Sequence, residues 1–93
     1  MVSKHDKIAK RLADKYGVEY NEGKGPDIKA SKKVIEVATH DSDINESKKQ
    51  LQGFQKPRYL AVPSDKVKQA KDAVEGTGIG IMGPTGKIHK RAR

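Results

Sequence analysis

Two acidic residues, Asp27 and Glu36, stand in short segments that favour extended structure. Pro26 disfavours a helical conformation of the residue before it, and residues 34–37 are rich in β-formers, so the sequence predicts a tight hairpin around residues 30–33. Neighbouring strands lie about 4.8 Å apart. Carboxylates that face the same side of such a pair could share a hard divalent cation such as Mg²⁺ or Mn²⁺. Asp27 and Glu36 are therefore a candidate metal site.

Glu36 is predicted to share its strand face with Val34 and Ala38, because side chains alternate along a strand. Burial of a carboxylate among apolar neighbours is costly unless it has a partner. Two interpretations of Glu36 remain open at this point. It binds a cation, or it forms an ion pair with a nearby lysine.

The composition favours an anionic partner. The chain has 93 residues, with 20 Lys and Arg against 12 Asp and Glu, for a formal net charge of +8. Such a balance favours polyanions, above all nucleic acid, although a basic surface can also serve solubility alone. The absence of cysteine excludes disulfides and thiolate metal sites. No apolar run is long enough for a signal peptide or membrane span, so we expect a cytoplasmic protein with no membrane partner.

The order of elements predicts a small α/β domain with a mixed central sheet flanked by about three helices. Apolar residues recur with helical spacing in residues 8–16, and helices are also predicted from an Asp43 cap and from a Ser64 cap. Residues 58–62 and 78–82 read as parallel strands joined by the third helix. Residues 78–83 match G-x-G-x-x-G, but they follow a helix instead of opening one, so we reject a dinucleotide site. We expect one domain over residues 1–86 and a basic C-terminal segment over 87–93.

The sequence resembles the PD-(D/E)XK nuclease superfamily, which includes restriction endonucleases and archaeal Holliday-junction resolvases. The resemblance covers most of the chain and rests on Pro26, Asp27 and Glu36 in the order helix, strand, strand, helix, strand. It implies a restriction-endonuclease-like fold and a DNA endonuclease that uses Mg²⁺ or Mn²⁺ to hydrolyse phosphodiesters. It also implies a possible homodimer, since junction resolvases cut two strands symmetrically.

One family residue is missing. The superfamily lysine, two residues after the second acid, falls on Ala38, so we expect Lys48 or Lys49 of the second helix to replace it if the protein is active. The alternative is an inactive nuclease-like module that binds DNA or protein. Asp6 lies where resolvases carry a further metal ligand on the first helix, although it also suits a helix N-terminus. The expected nucleic-acid contacts are Lys24, Lys87, Lys90, Arg91 and Arg93. For the four residues of the basic C-terminal segment, a solvated tail without phosphate contacts is the open alternative.

Overall fold

A computed structural model describes residues 4–18, 28–29, 32–53 and 57–92 of the chain. Within these residues the chain forms three helices and five short strands. In chain order they are α1 (Lys4–Tyr16), β1 (Ile28–Lys29), β2 (Val34–Val37), α2 (Asp41–Leu51), β3 (Arg58–Ala61), a 3₁₀ turn (Ser64–Lys66) that continues as α3 (Val67–Ala73), β4 (Gly80–Met82) and β5 (Ile88–Lys90). The predicted fold class, a small α/β domain with a mixed sheet and three helices, is confirmed.

The five strands form one sheet in the order β1-β2-β3-β4-β5. Strand β1 pairs antiparallel with β2 in the predicted hairpin, with Ile28 opposite Ile35. Strands β2, β3 and β4 are parallel, and α2 and α3 connect them. The parallel pair predicted for residues 58–62 and 78–82 is thus confirmed. Strand β5 returns antiparallel to β4, so the basic segment at residues 87–93 contains an edge strand.

Each face of the sheet carries its own apolar cluster. On one face, Ile35 and Val37 of β2 pack with α1, whose residues Ile8, Ala9, Leu12 and Ala13 are buried. On the other face, Val34 and Ala38 pack with residues of α2 and α3. The period of two along β2 therefore divides its side chains between the two layers, as expected for a strand covered on both sides.

Two helix starts differ from the sequence prediction. Helix α2 begins at Asp41 with His40 as its N-cap residue, so Asp43 is its third residue and not its cap. Ser64 does not cap α3 directly. It opens the 3₁₀ turn after Pro63, and α3 begins three residues later. Capping preferences are worth only about 1 kcal/mol, so the connections to the neighbouring strands can override them.

Gly80, the glycine of the G-x-G-x-x-G match that lies within β4, is needed for close packing. A Cβ atom at this position would lie 2.5 Å from Cε1 of Tyr59 and 2.7 Å from the carbonyl oxygen of Lys90. The bare backbone therefore lets β5 and the Tyr59 ring approach closely. Residues 80–82 of the G-x-G-x-x-G match form a strand, as predicted, and do not open a helix.

Candidate functional site

Glu36 lies in the middle of the sheet's second strand and is buried, with 7% of its surface exposed. Its neighbours at alternate positions, Val34 and Ala38, both belong to the cluster under α2 and α3. The predicted strand face of Glu36 is therefore confirmed. Most carboxylates in proteins are exposed, so a buried one on a central strand is a candidate functional group.

A polar hollow of about 180 Å³ opens beside Glu36. Helix α2 supplies most of its wall through side chains spaced i, i+3, i+4 and i+7, which lie on one helical face. The residues that line it are His5, Glu36, Val37, Asp43, Glu46, Ser47 and Gln50. Asp43, expected to be a helix cap, thus faces the candidate site instead. Carboxylate, hydroxyl and amide oxygens predominate, which is the donor chemistry that hard cations prefer.

The donor types fit Mg²⁺ or Mn²⁺, but the described residues do not complete a coordination site. Within the described part of the chain, no group of three or more His, Cys, Asp or Glu side chains could hold a metal ion. Asp27, the expected partner of Glu36, lies outside the described residues. The shared Asp27 and Glu36 site therefore stays a prediction.

The first turn of α1 contributes His5 to the hollow, whereas Asp6 is not among the described residues that line it. The Nδ1 atom of His5 is 3.7 Å from Oδ1 of Asp6, and both side chains are partly exposed. The sequence analysis named Asp6 as a possible metal ligand and did not identify His5 as a site residue. The sequence has no local signal for His5, because only the packing of α1 against the sheet brings it to the hollow.

The place of the missing lysine is closed. Ala38 is fully buried in the apolar cluster of α2 and α3. Lys48 is half-buried and Lys49 exposed on α2, and neither is among the described residues that line the hollow. Gln50 of the same helix does line it. The spacing of Gln50 from Asp43, two helical turns, is the signal that could have identified it from the sequence.

The three expected basic contacts that the structure describes, Lys87, Lys90 and Arg91, are not among the residues that line the hollow. Lys87 and Arg91 are exposed beside and after β5, whereas the Nζ atom of Lys90 donates a hydrogen bond of 2.9 Å to the carbonyl oxygen of Ile79. Lys24 and Arg93 lie outside the described residues. Of the five predicted nucleic-acid contacts, Lys87 and Arg91 are thus the exposed ones within the described chain.

Comparisons of the chain with protein-family models, with curated proteins and with solved structures give no match. The resemblance to the PD-(D/E)XK superfamily therefore rests on the residues of this chain alone. In the described part of the chain, no helix is long and apolar enough to cross a membrane.

Proposed function

We propose that this chain is a nucleic-acid-binding protein of PD-(D/E)XK nuclease type that acts as a divalent-metal-dependent DNA endonuclease. The observation that carries the proposal is the buried carboxylate of Glu36, which borders a hollow rich in oxygen donors. It lies on β2, the second strand after Pro26 and Asp27, where the resemblance expects the second acid. The formal net charge of +8 supports a polyanionic substrate.

In this proposal Asp27 and Glu36 would hold the cation, and the acidic face of α2 would add negative charge beside it. A bound Mg²⁺ or Mn²⁺ supplies charge neutralisation at the phosphate and a more acidic water. His5 is the one nitrogen base among the described residues that line the hollow. In the proposal, His5 exchanges a proton with a group bound in the hollow, since an imidazole is a common general acid or base.

A second candidate function is an inactive module of the same fold that binds DNA. It is favoured by the burial of Ala38 and by the positions of Lys48 and Lys49 away from the hollow. No lysine of the described chain lines the hollow beside Glu36. In enzymes that stabilise developing negative charge with a fixed donor, loss of that donor costs roughly 10²–10³ in rate.

A cleavage assay separates the two candidates. Wild-type protein is incubated with Mg²⁺ or Mn²⁺ and with branched or linear DNA, beside Glu36→Gln, His5→Ala and the control His40→Ala, which changes an exposed histidine. We expect Glu36→Gln to lower the cleavage rate at least about 100-fold. His40→Ala should cleave as the wild type does. If the wild type and all three variants bind DNA and none of them cleaves it, the inactive module is favoured.

The shared metal site is tested separately by a divalent-ion titration followed by NMR. Asp27→Asn and Glu36→Gln should each abolish binding while leaving the metal-free fold intact, and the control Asp72→Asn removes an exposed acid of α3. If both site variants bind the ion as tightly as the wild type, Asp27 and Glu36 do not share it. Sedimentation of the metal-free protein tests the homodimer that the resemblance implies.

A further inference from the structure

A second depression, larger than the hollow, lies between α1 and two loops of the sheet. Its volume is about 450 Å³. Pro63, Ser64 and Asp65 follow β3, and Pro84 follows β4, so the depression opens at the carboxyl ends of two parallel strands. In open α/β sheets, ligands commonly bind in crevices outside this edge. We call this depression the α1 groove.

The α1 side of the groove is basic. Its apolar lining residues, which we call the floor, are Ile8, Pro63 and Pro84. Lys4, Lys7 and Arg11 border it at helical spacing, and all three are exposed. Ile8, only 6% exposed, lies on the same stripe of α1. Opposite, Pro63 is buried and Pro84 half-buried. Asp65 is the one acid among the described residues that line the groove, so three cations face one carboxylate.

The spacing of the cations suits a chain of phosphates. With a rise of about 1.5 Å per residue, Lys4 and Arg11 are roughly 10 Å apart along the helix axis. Phosphates of one DNA strand are spaced about 3.4 Å along a duplex axis and more widely in an extended strand, so this length covers two or three of them. The apolar floor can meet sugar and base faces, which a single strand leaves accessible.

We propose that the α1 groove binds a segment of single-stranded DNA, with its phosphates on Lys4, Lys7 and Arg11. This inference rests on the proposed function and names the surface that holds the substrate. Sequence reasoning assigned that contact to Lys24 and to the basic segment at residues 87–93. Lys4 in the groove and His5 in the hollow are neighbours in α1. A strand in the groove therefore leads toward Glu36 around the first turn of α1.

The test compares two triple variants that remove the same charge. The groove variant combines Lys4→Ala, Lys7→Ala and Arg11→Ala. The control combines changes to alanine at three exposed lysines that are not among the described lining residues, namely Lys10, Lys68 and Lys71. Both lie three charges below the wild-type +8. Their affinities for a fluorescent oligodeoxythymidylate are measured against salt without divalent ions, after circular dichroism has established that both fold.

We expect the affinity of the groove variant for DNA to depend less on salt than that of the wild type. Three released phosphates at about 0.7 each lower the slope of log affinity against log salt by about 2. Between about 50 and 200 mM salt, the wild type should then lose about 20-fold more affinity than the groove variant does. The control should keep most of the wild-type slope. Equal slopes in the two variants would overturn the groove while leaving DNA binding intact.

A single substitution that should raise the affinity for DNA provides a second test, because a folding defect would lower that affinity. Asp65→Asn removes the carboxylate that faces the cations, so it should tighten binding several-fold, whereas Asp72→Asn on the exposed side of α3 should not. Equal effects of the two would overturn the groove. A wild type that binds no DNA at low salt would overturn the proposed function and this inference together. Tighter binding to anionic phospholipid vesicles than to DNA would overturn the groove as a DNA site.

Discussion

Replacing Ala38 by lysine tests whether the structure has closed the place of the superfamily lysine. Ala38 has no exposed surface and packs in the cluster of α2 and α3. An amine buried there must lose its proton. For a group with a usual pKa of about 10.4, this costs about 4.6 kcal/mol at pH 7, at 1.36 kcal/mol per pH unit. The longer side chain adds about 1–3 kcal/mol of overpacking. The whole chain is stabilised by only about 5–14 kcal/mol.

The assay is denaturant unfolding of the wild type, Ala38→Met and Ala38→Lys at pH 7 and pH 9. Ala38→Met has a similar length without the charge, so it measures overpacking alone. We expect the lysine variant to be about 4–5 kcal/mol less stable than the methionine variant at pH 7 and about 2 kcal/mol less stable at pH 9. The gap narrows because the introduced amine has a lower pKa in the folded state, so the unfolded state binds more protons and stability rises with pH.

A gap below about 1 kcal/mol that does not change with pH would refute this reasoning, because the amine would then be charged in the folded protein. Combining Ala38→Lys with Glu36→Gln would identify the partner. If the gap reappears, the amine is paired with Glu36 on the same strand face. The hollow would then accept the superfamily lysine, and Ala38→Lys should raise divalent-dependent DNA cleavage.

Two further predictions concern the packing that holds the sheet. Gly80→Ala should destabilise the protein by at least about 1–3 kcal/mol, because its Cβ would lie 2.5 Å from an aromatic carbon of Tyr59. In the matched control Gly53→Ala, the nearest atom is 3.7 Å away, so equal losses in thermal or denaturant unfolding would contradict the close-approach argument. Lys33→Met should cost about 1 kcal/mol in the same assay, since the Lys33 Nζ atom lies 4.7 and 5.3 Å from the ring centroids of Tyr16 and Tyr59. A smaller loss in a Tyr16→Leu background, where the Tyr59 ring remains, would support the contact with Tyr16; the full loss there would refute it.

The sequence by itself determined the local features of the chain. The helical spacing of residues 8–16 identified the buried face of α1, and alternation along residues 34–38 placed Glu36 on the face of Val34 and Ala38. These predictions succeed because the directions of successive side chains follow from backbone geometry, with periods of 3.6 and 2. The two helix starts at Asp43 and Ser64 were wrong, since a weak local preference competes there with the connections to β2 and β3.

Only the tertiary structure decided what surrounds Glu36. His5 comes to the hollow from α1, and Asp43, Glu46 and Gln50 come from α2 on the other side of β2 in the chain. The α1 groove likewise joins residues 4–11 to loops more than fifty residues later. Such neighbours are set by how helices pack on the sheet. The local side-chain pattern shows only that Asp43, Glu46 and Gln50 share one face of α2. The same packing buried Ala38, the position where the resemblance expected a charge.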